Sequence, residues 1–182
     1  CRIDPGDYVK RKDGSSFDLQ HFFTNPAEYE STFLRYTKVT DLYIPCHFWD
    51  PKSPVFMTKE DMQAPDFKMK VIADVSCDLV DPIPSTLRAS KILDPIYGYN
   101  PFTGQEDDAF AEKNIMVMAI DNLPGELPRD ASEDFANALY KSVIPALING
   151  DTEGYIERAT ILKDGKLTPK FSYLEDYLNG KV

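Results

Sequence analysis

A chain of 182 residues, 42% hydrophobic and 27% charged, can bury the core of one ordinary domain, so a disordered or fibrous protein is excluded. Its formal net charge of -10 and the lack of any Lys/Arg cluster exclude binding along a nucleic-acid phosphate backbone. The longest apolar runs, such as residues 115–120, fall far short of the roughly 20 residues of a membrane helix, and the first residues carry no signal-peptide pattern, so a soluble, cytoplasmic protein is expected.

The chain opens on a polar lead-in, residues 1–24, whose first part (1–16) has neither helical nor strand period, as the exit from a preceding domain or the start of a fragment would. Pro26 then falls at a first-turn position after Asn25, and Tyr29, Phe33 and Tyr36 make one apolar face, which predicts a helix. Residues 42–48, 71–75 and 115–120 are short, nearly continuous apolar runs bounded by turn residues, the pattern of central parallel strands covered on both faces. Between the first two, Thr58 and Asp61 in MTKEDM have capping-box spacing and predict a helix; strand, helix, strand makes an α/β unit. Residues 82–104, rich in Pro and Gly, read as a long ordered loop or irregular crossover. Asp130 and Glu133 give a second capping-box spacing, followed by Phe135, Ala138, Leu139, Val143 and Leu147 on one helical face, with Pro145 as a kink or break and Gly150 as the stop. In ATILKDGKLT, Asp164 and Gly165 stand between two short segments, a hairpin signal. There are no internal repeats and no low-complexity segment.

In an open parallel sheet, ligands bind beyond the carboxyl ends of the strands. Ser76 and Asp78 in ADVSCD, and Asp121 and Asn122 in AIDNLP, fall at such ends and could orient a carboxamide or an ammonium; the competing reading is that they satisfy turn amides. The helix entered through NLPGELPRDAS presents free amides to an anion, or is an ordinary capped start. Cys1, Cys46 and Cys77 are an odd set without metal-like spacing, and His21 and His47 offer no paired ligands, so neither a disulfide scaffold nor a metal site is expected. Cys46 and Cys77 lack a basic neighbour that would favour a thiolate, and His47 beside Phe48 and Trp49 reads as a packing histidine. No GxGxxG follows a strand and no ribose-reading acid lies about 20 residues beyond one. The residues alone thus reach an α/β domain with a candidate site at the strand ends.

The strings LYIPCHFWD, VIADVSCD, VMAIDNLPGELPRDASEDF and ERATILKDGKLTPKFSYLEDYL, in this order, resemble the C-terminal half of lysine-ketoglutarate reductases and their lysine-forming saccharopine dehydrogenase relatives, over about residues 25–178. A weaker likeness extends to alanine dehydrogenase and the proton-pumping transhydrogenase. The resemblance implies that residues 25–121 are the later part of a Rossmann-like cofactor domain with a parallel sheet, and that residues 122–182, a loop, long helix and hairpin, return to a substrate domain. It implies NAD or NADP as cofactor, an amino-acid substrate, a missing N-terminal half as partner, a homo-oligomer as a further possibility, and interconversion of saccharopine with lysine and 2-oxoglutarate. By position, Phe48 matches a cofactor contact, Val75 the nicotinamide side, Ser76 a place near the substrate, and Asp78 an acid beside the nicotinamide. Ile120, Asp121, Asn122 and Leu123 match a loop that closes over that ring. The glycine fingerprint and the catalytic Lys and His of the family belong to the preceding half, so no catalytic residue is assigned here. After Asp78 the chain reads LVDPIP where relatives differ, which leaves the substrate open. An alanine dehydrogenase or other opine-type enzyme, or a non-catalytic domain binding a ligand or a partner, are the alternatives.

Overall fold

The computed structural model describes residues 1–181, which divide into two units, Cys1–Leu123 and the residues from Pro124 onward. The first unit is built on the three apolar runs. Strand β3 (Leu42–Tyr43) pairs in parallel with β4 (Val71–Ala73), and β4 in parallel with β7 (Ile115–Met118). Ile72 and Val117, opposite one another in that register, are fully buried, as strands covered on both faces require. Helix α4 (Lys59–Met62) lies between β3 and β4 in sequence; Thr58 Oγ1 accepts from the Asp61 amide at 3.2 Å and the Asp61 carboxylate accepts from the Thr58 amide at 2.8 Å, the reciprocal cap expected.

The sheet has five strands in the order β3-β4-β7-β5-β6 and is mixed, a Rossmann-like α/β arrangement with an antiparallel edge. Strand β5 (Ile96–Asn100) runs antiparallel to β7, and β6 (Gln105–Asp107) antiparallel to β5. This corrects the reading of residues 82–104 as loop throughout. The Gly of IYGYN hid the strand, yet it is needed there: a Cβ on Gly98 would stand 2.3 Å from the Asp108 carbonyl oxygen. The first apolar run is also shorter than expected, because Pro45 has no N–H for a ladder; its carbonyl instead accepts from the Val75 amide at 3.1 Å.

The lead-in is ordered. Helix α1 (Pro5–Tyr8) is capped by Asp4 and Asp7, and β1 (Val9–Arg11) pairs antiparallel with β2 (Tyr29–Ser31). Helix α2 (Leu19–Thr24) starts at Asp18, whose carboxylate accepts from the His21 amide at 2.6 Å. The single helix expected from Pro26 is instead a 3-10 turn (Pro26–Glu28), strand β2 and a short helix α3 (Leu34–Thr37). Tyr29 and Phe33 are buried as the pattern demanded, but pairing with β1 overrides the helical spacing.

In the second unit, α5 (Pro128–Ala138) runs through a π turn (Leu139–Val143) into α6 (Ile144–Asn149), and Gly150 ends it at φ 99°. The helix begins at Pro128, two residues before Asp130, and its N-cap Leu127 makes no side-chain cap, because Pro128 is already set for the first turn. Pro145 has no N–H for the Lys141 carbonyl, and the helix widens just before it instead of breaking. Helix α7 (Tyr155–Ala159) precedes the hairpin of β8 (Leu162–Lys163) and β9 (Lys166–Leu167), whose turn has positive φ at both Asp164 (52°) and Gly165 (76°), as a type I′ turn needs. A 3-10 stretch (Pro169–Leu174) and α8 (Glu175–Leu178) close the described chain. Among the described residues no helix is long and apolar enough to cross a membrane.

Candidate functional site

Because β3, β4 and β7 are parallel, their carboxyl ends share one edge of the sheet. At the end of β4 stands Asp74, 1% exposed, whose amide donates to the Met118 carbonyl at 2.7 Å and so continues the ladder. Its Oδ1 accepts from the Ser76 amide (3.0 Å), the Ser76 hydroxyl (2.7 Å) and the Cys77 amide (3.1 Å); its Oδ2 accepts from Thr86 Oγ1 at 2.6 Å. A buried carboxylate costs several kcal/mol unless it is well hydrogen-bonded, so these donors are the condition for its burial. The turn drives two non-glycine residues to positive φ, Cys77 at 54° and Val80 at 70°. For a β-branched Val this is strained backbone, at about 1–3 kcal/mol, held only because its surroundings fix it.

The following segment is tied back to the same edge. The Val80 amide donates to the Thr86 carbonyl at 2.9 Å, and Thr86 and Ser85 are fully buried. Tyr97 on β5 donates its hydroxyl to the Ser85 carbonyl (2.9 Å) and accepts from the Leu87 amide (3.0 Å). Beyond it, the Ser90 amide donates to the Ala119 carbonyl and the Ala119 amide to Ser90 Oγ, both at 2.8 Å.

Several of the residues expected at the site meet here. Ser76 is half-buried with its hydroxyl committed to Asp74. Burial, and next the negative charge of Asp74, hold the Asp78 carboxyl above the usual carboxylate range. Burial and then the charges of Asp74, Asp121 and Asp78 push the Cys77 thiol up, away from thiolate; these carboxylates from the ends of β4 and β7 act on one sulfur. Ile120 is buried and bridges in parallel to Ser90. Asp121 and Asn122 are exposed in the turn that follows, and Leu123 opens the 3-10 turn Leu123–Gly125. Val75, next to Ser76 in sequence, is 40% exposed, whereas Phe48 stands in solvent at 86% exposure. His47 packs its ring edge-on against Phe56 at 4.5 Å; burial lowers its pKa, the Asp74 charge opposing, and its buried Nε2 has no hydrogen-bond partner among the described residues.

Asp74 and Thr86 escaped the sequence reading, although the signal was present: an Asp two residues before a Ser, just past an apolar run, is an Asx-turn pattern. A cavity of about 500 Å³ lies at the opposite, amino-terminal edge of the strands, lined by Asp41, Lys70 and Ile115 among others, and none of the expected site residues reaches it. No group of three or more His, Cys, Asp or Glu among the described residues is arranged to hold a metal ion. As a donor set, Asp78 and Asp121 are acceptors suited to the N–H groups of a carboxamide or an ammonium. The residues fit the nicotinamide end of a dinucleotide, and no glycine-rich turn after a strand is present for its pyrophosphate.

No family model matches the chain. Among curated proteins it is 27% identical over 183 residues to the alpha-aminoadipic semialdehyde synthase of Arabidopsis thaliana, a match covering 96% of this chain and 17% of that protein. It is 32% identical over 117 residues to the saccharopine dehydrogenase (NAD(+), L-lysine-forming) of Schizosaccharomyces pombe, covering 60% of this chain and 29% of that one. With the mitochondrial alpha-aminoadipic semialdehyde synthase of Mus musculus it shares 27% over 184 residues, 83% of this chain and 20% of the mouse protein. The chain therefore spans less than a third of the length of each of these relatives, and it is a homologue of a segment of alpha-aminoadipic semialdehyde synthases and lysine-forming saccharopine dehydrogenases.

Proposed function

We propose that this chain is the C-terminal portion of an NAD(P)-dependent oxidoreductase of lysine metabolism that interconverts saccharopine and water with lysine and 2-oxoglutarate. The observation that supports this reading is the similarity to segments of alpha-aminoadipic semialdehyde synthases and lysine-forming saccharopine dehydrogenases, with parallel β4 and β7 delivering Asp78 and Asp121 to one sheet edge. A bound nicotinamide supplies or accepts the hydride. The chain's own residues bind and orient: Asp78 and Asp121 accept hydrogen bonds from a carboxamide or ammonium, and Val75 offers apolar surface to a ring while buried Ile120 anchors the turn that follows it. Ser76 stands toward the substrate, while the turn of Asn122 and Leu123 fixes the ring angle, on which a hydride step depends steeply. In this reading the acid and base and the pyrophosphate-binding turn belong to a preceding half, which also covers the exposed apolar side chains of α5 and α6.

The test uses the whole protein that carries this chain, following nicotinamide absorbance with NADH and NADPH in turn. Lysine plus 2-oxoglutarate should oxidise the cofactor, and saccharopine should reduce it. Turnover with pyruvate and ammonium alone would move the assignment to an alanine dehydrogenase, and no turnover with any of these would overturn it in favour of a binding domain.

A further inference from the structure

We propose that Asp74 is the positioning residue of the strand-end site, one buried carboxylate tying the turn that carries Ser76, Cys77 and Asp78 to the segment that carries Thr86. The proposal rests on the reading of this edge as the nicotinamide side of a dehydrogenase site. An ordinary Asx turn spends one carboxylate oxygen on local amides at the surface. Asp74 does more: both oxygens are committed, the second to Thr86 Oγ1 at 2.6 Å, and both residues are buried to 1% exposure or less. Among the described residues, the hydrogen bond left between the segments here without it would be that of the Val80 amide to the Thr86 carbonyl, through a Val at positive φ. Among the described residues no cationic side chain forms an ion pair with Asp74, so its charge is compensated by hydrogen-bond donors alone. The groups that feel this charge are Cys77 and Asp78 on its own turn, and Tyr43 and His47 from the end of β3, with Asp121 from β7 acting on the same thiol.

Geometry and charge can be separated. In Asp74→Asn the remaining oxygen still accepts from Ser76 and Cys77 and the amide N–H meets Thr86 Oγ1, so the turn is kept and the charge is lost. Asp74→Ala loses both. In the full chain with Cys1 and Cys46 changed to Ser, the pH midpoint of Cys77 alkylation by iodoacetamide should fall in both Asp74 variants. Exchange of the Ser76 and Cys77 amides should quicken about tenfold or more in Asp74→Ala only, the Ile72 and Val117 amides being unchanged. In the whole protein, Asp74→Ala should lower kcat about a hundredfold with KM changed far less, and Asp74→Asn should recover part of that loss. An unmoved alkylation midpoint together with wild-type exchange would overturn the proposal, as would unchanged kcat in both variants. If the unsubstituted whole protein has no dehydrogenase turnover, the functional reading has failed, and the alkylation and exchange results alone decide whether Asp74 sets this turn.

Discussion

Asp78 lies past the end of β4, partly buried, with its carboxyl pKa raised by burial and by the neighbouring charge of Asp74. Such a group contributes more to orientation and charge than to packing. In the whole protein Asp78→Asn is expected to lower kcat by about 10- to 100-fold while leaving the melting temperature within a degree or two of wild type, as about 0.5 kcal/mol or less implies; matched melting and kinetic measurements check this. His47 makes a pH-dependent contribution of opposite character. Burial lowers its folded pKa below the unfolded value, so the unfolded chain binds the extra proton more readily. Stability from this group is present above the unfolded His pKa of about 6.5 and is lost as pH falls below it. Thermal melts between pH 7.5 and 5.5 should show a decline that is smaller in His47→Phe, where the ring contact with Phe56 is kept. An equal decline in both would assign it elsewhere. The strand-end polar residues were legible because polar groups interrupt an apolar run there. The partners of Asp74 were not, since Thr86, twelve positions further along the chain, reaches it only once the segment between them has folded.

Among the elements, capping chemistry and hairpin chemistry were the most readable, being local: Thr58 with Asp61, and Asp164 with Gly165, each act within a few residues. Thr58→Ala should destabilise the first unit by about 1 kcal/mol, seen as a lower denaturant midpoint at constant slope. Elements whose existence depends on distant chain were hidden. Strand β1 forms from a polar stretch because it pairs with β2, and β5 forms across a glycine because β7 and β6 flank it on either side. Gly98 makes this quantitative. Any side chain there meets backbone, not a flexible side chain, at Asp107 and Asp108. Gly98→Ala should therefore cost about 1–3 kcal/mol and detach β6 first, which faster exchange of the Gly98 and Asn100 amides relative to Ile72 would register. Wild-type stability in this variant would mean that the β6 segment can move away at little cost.

At the scale of the molecule, the buried core named by side chain, from Val9 and Tyr29 to Ala119 and Ile120, belongs to the first unit. No described residue from Pro124 onward is buried, and Phe135, Tyr140, Leu147, Ile148 and Tyr155 expose much of their surface. Local stability follows burial, so amides of α5, α6 and α7 should exchange well before those of β4 and β7. On the proposed reading, in which the pyrophosphate turn and the acid-base pair lie in a preceding half, the chain alone is expected to bind NADH weakly and to turn over neither saccharopine nor lysine with 2-oxoglutarate. NADH fluorescence titration and a saccharopine assay, repeated with the proposed preceding half added, check both, and full activity from the 182 residues alone would place the pyrophosphate turn and the acid-base pair within them. The parallel strands and the long helix were legible because their patterns are internal to each segment; the exposure of the helix was not, because a sequence shows which face is apolar and not what covers it.

The π turn in that helix acts as a phase corrector. Phe135, Leu139, Val143 and Leu147 recur every fourth residue, and a regular α-helix turns about 100° per residue, so a four-residue spacing drifts by about 40° at each step. Over the three steps Leu147 would end about 120° around the axis from Phe135. The wider turn at Leu139–Val143 absorbs one extra residue, takes back about 100° of rotation, and keeps the four side chains close to one line. Deleting Ser142 should thus let the helix run as a regular α-helix with Leu147 still within about 20° of the line of Phe135, keeping the helical circular dichroism. A residue inserted there would instead swing Leu147 and Ile148 about 100° off that line, so the apolar stripe should tolerate a deletion at this turn and not an insertion.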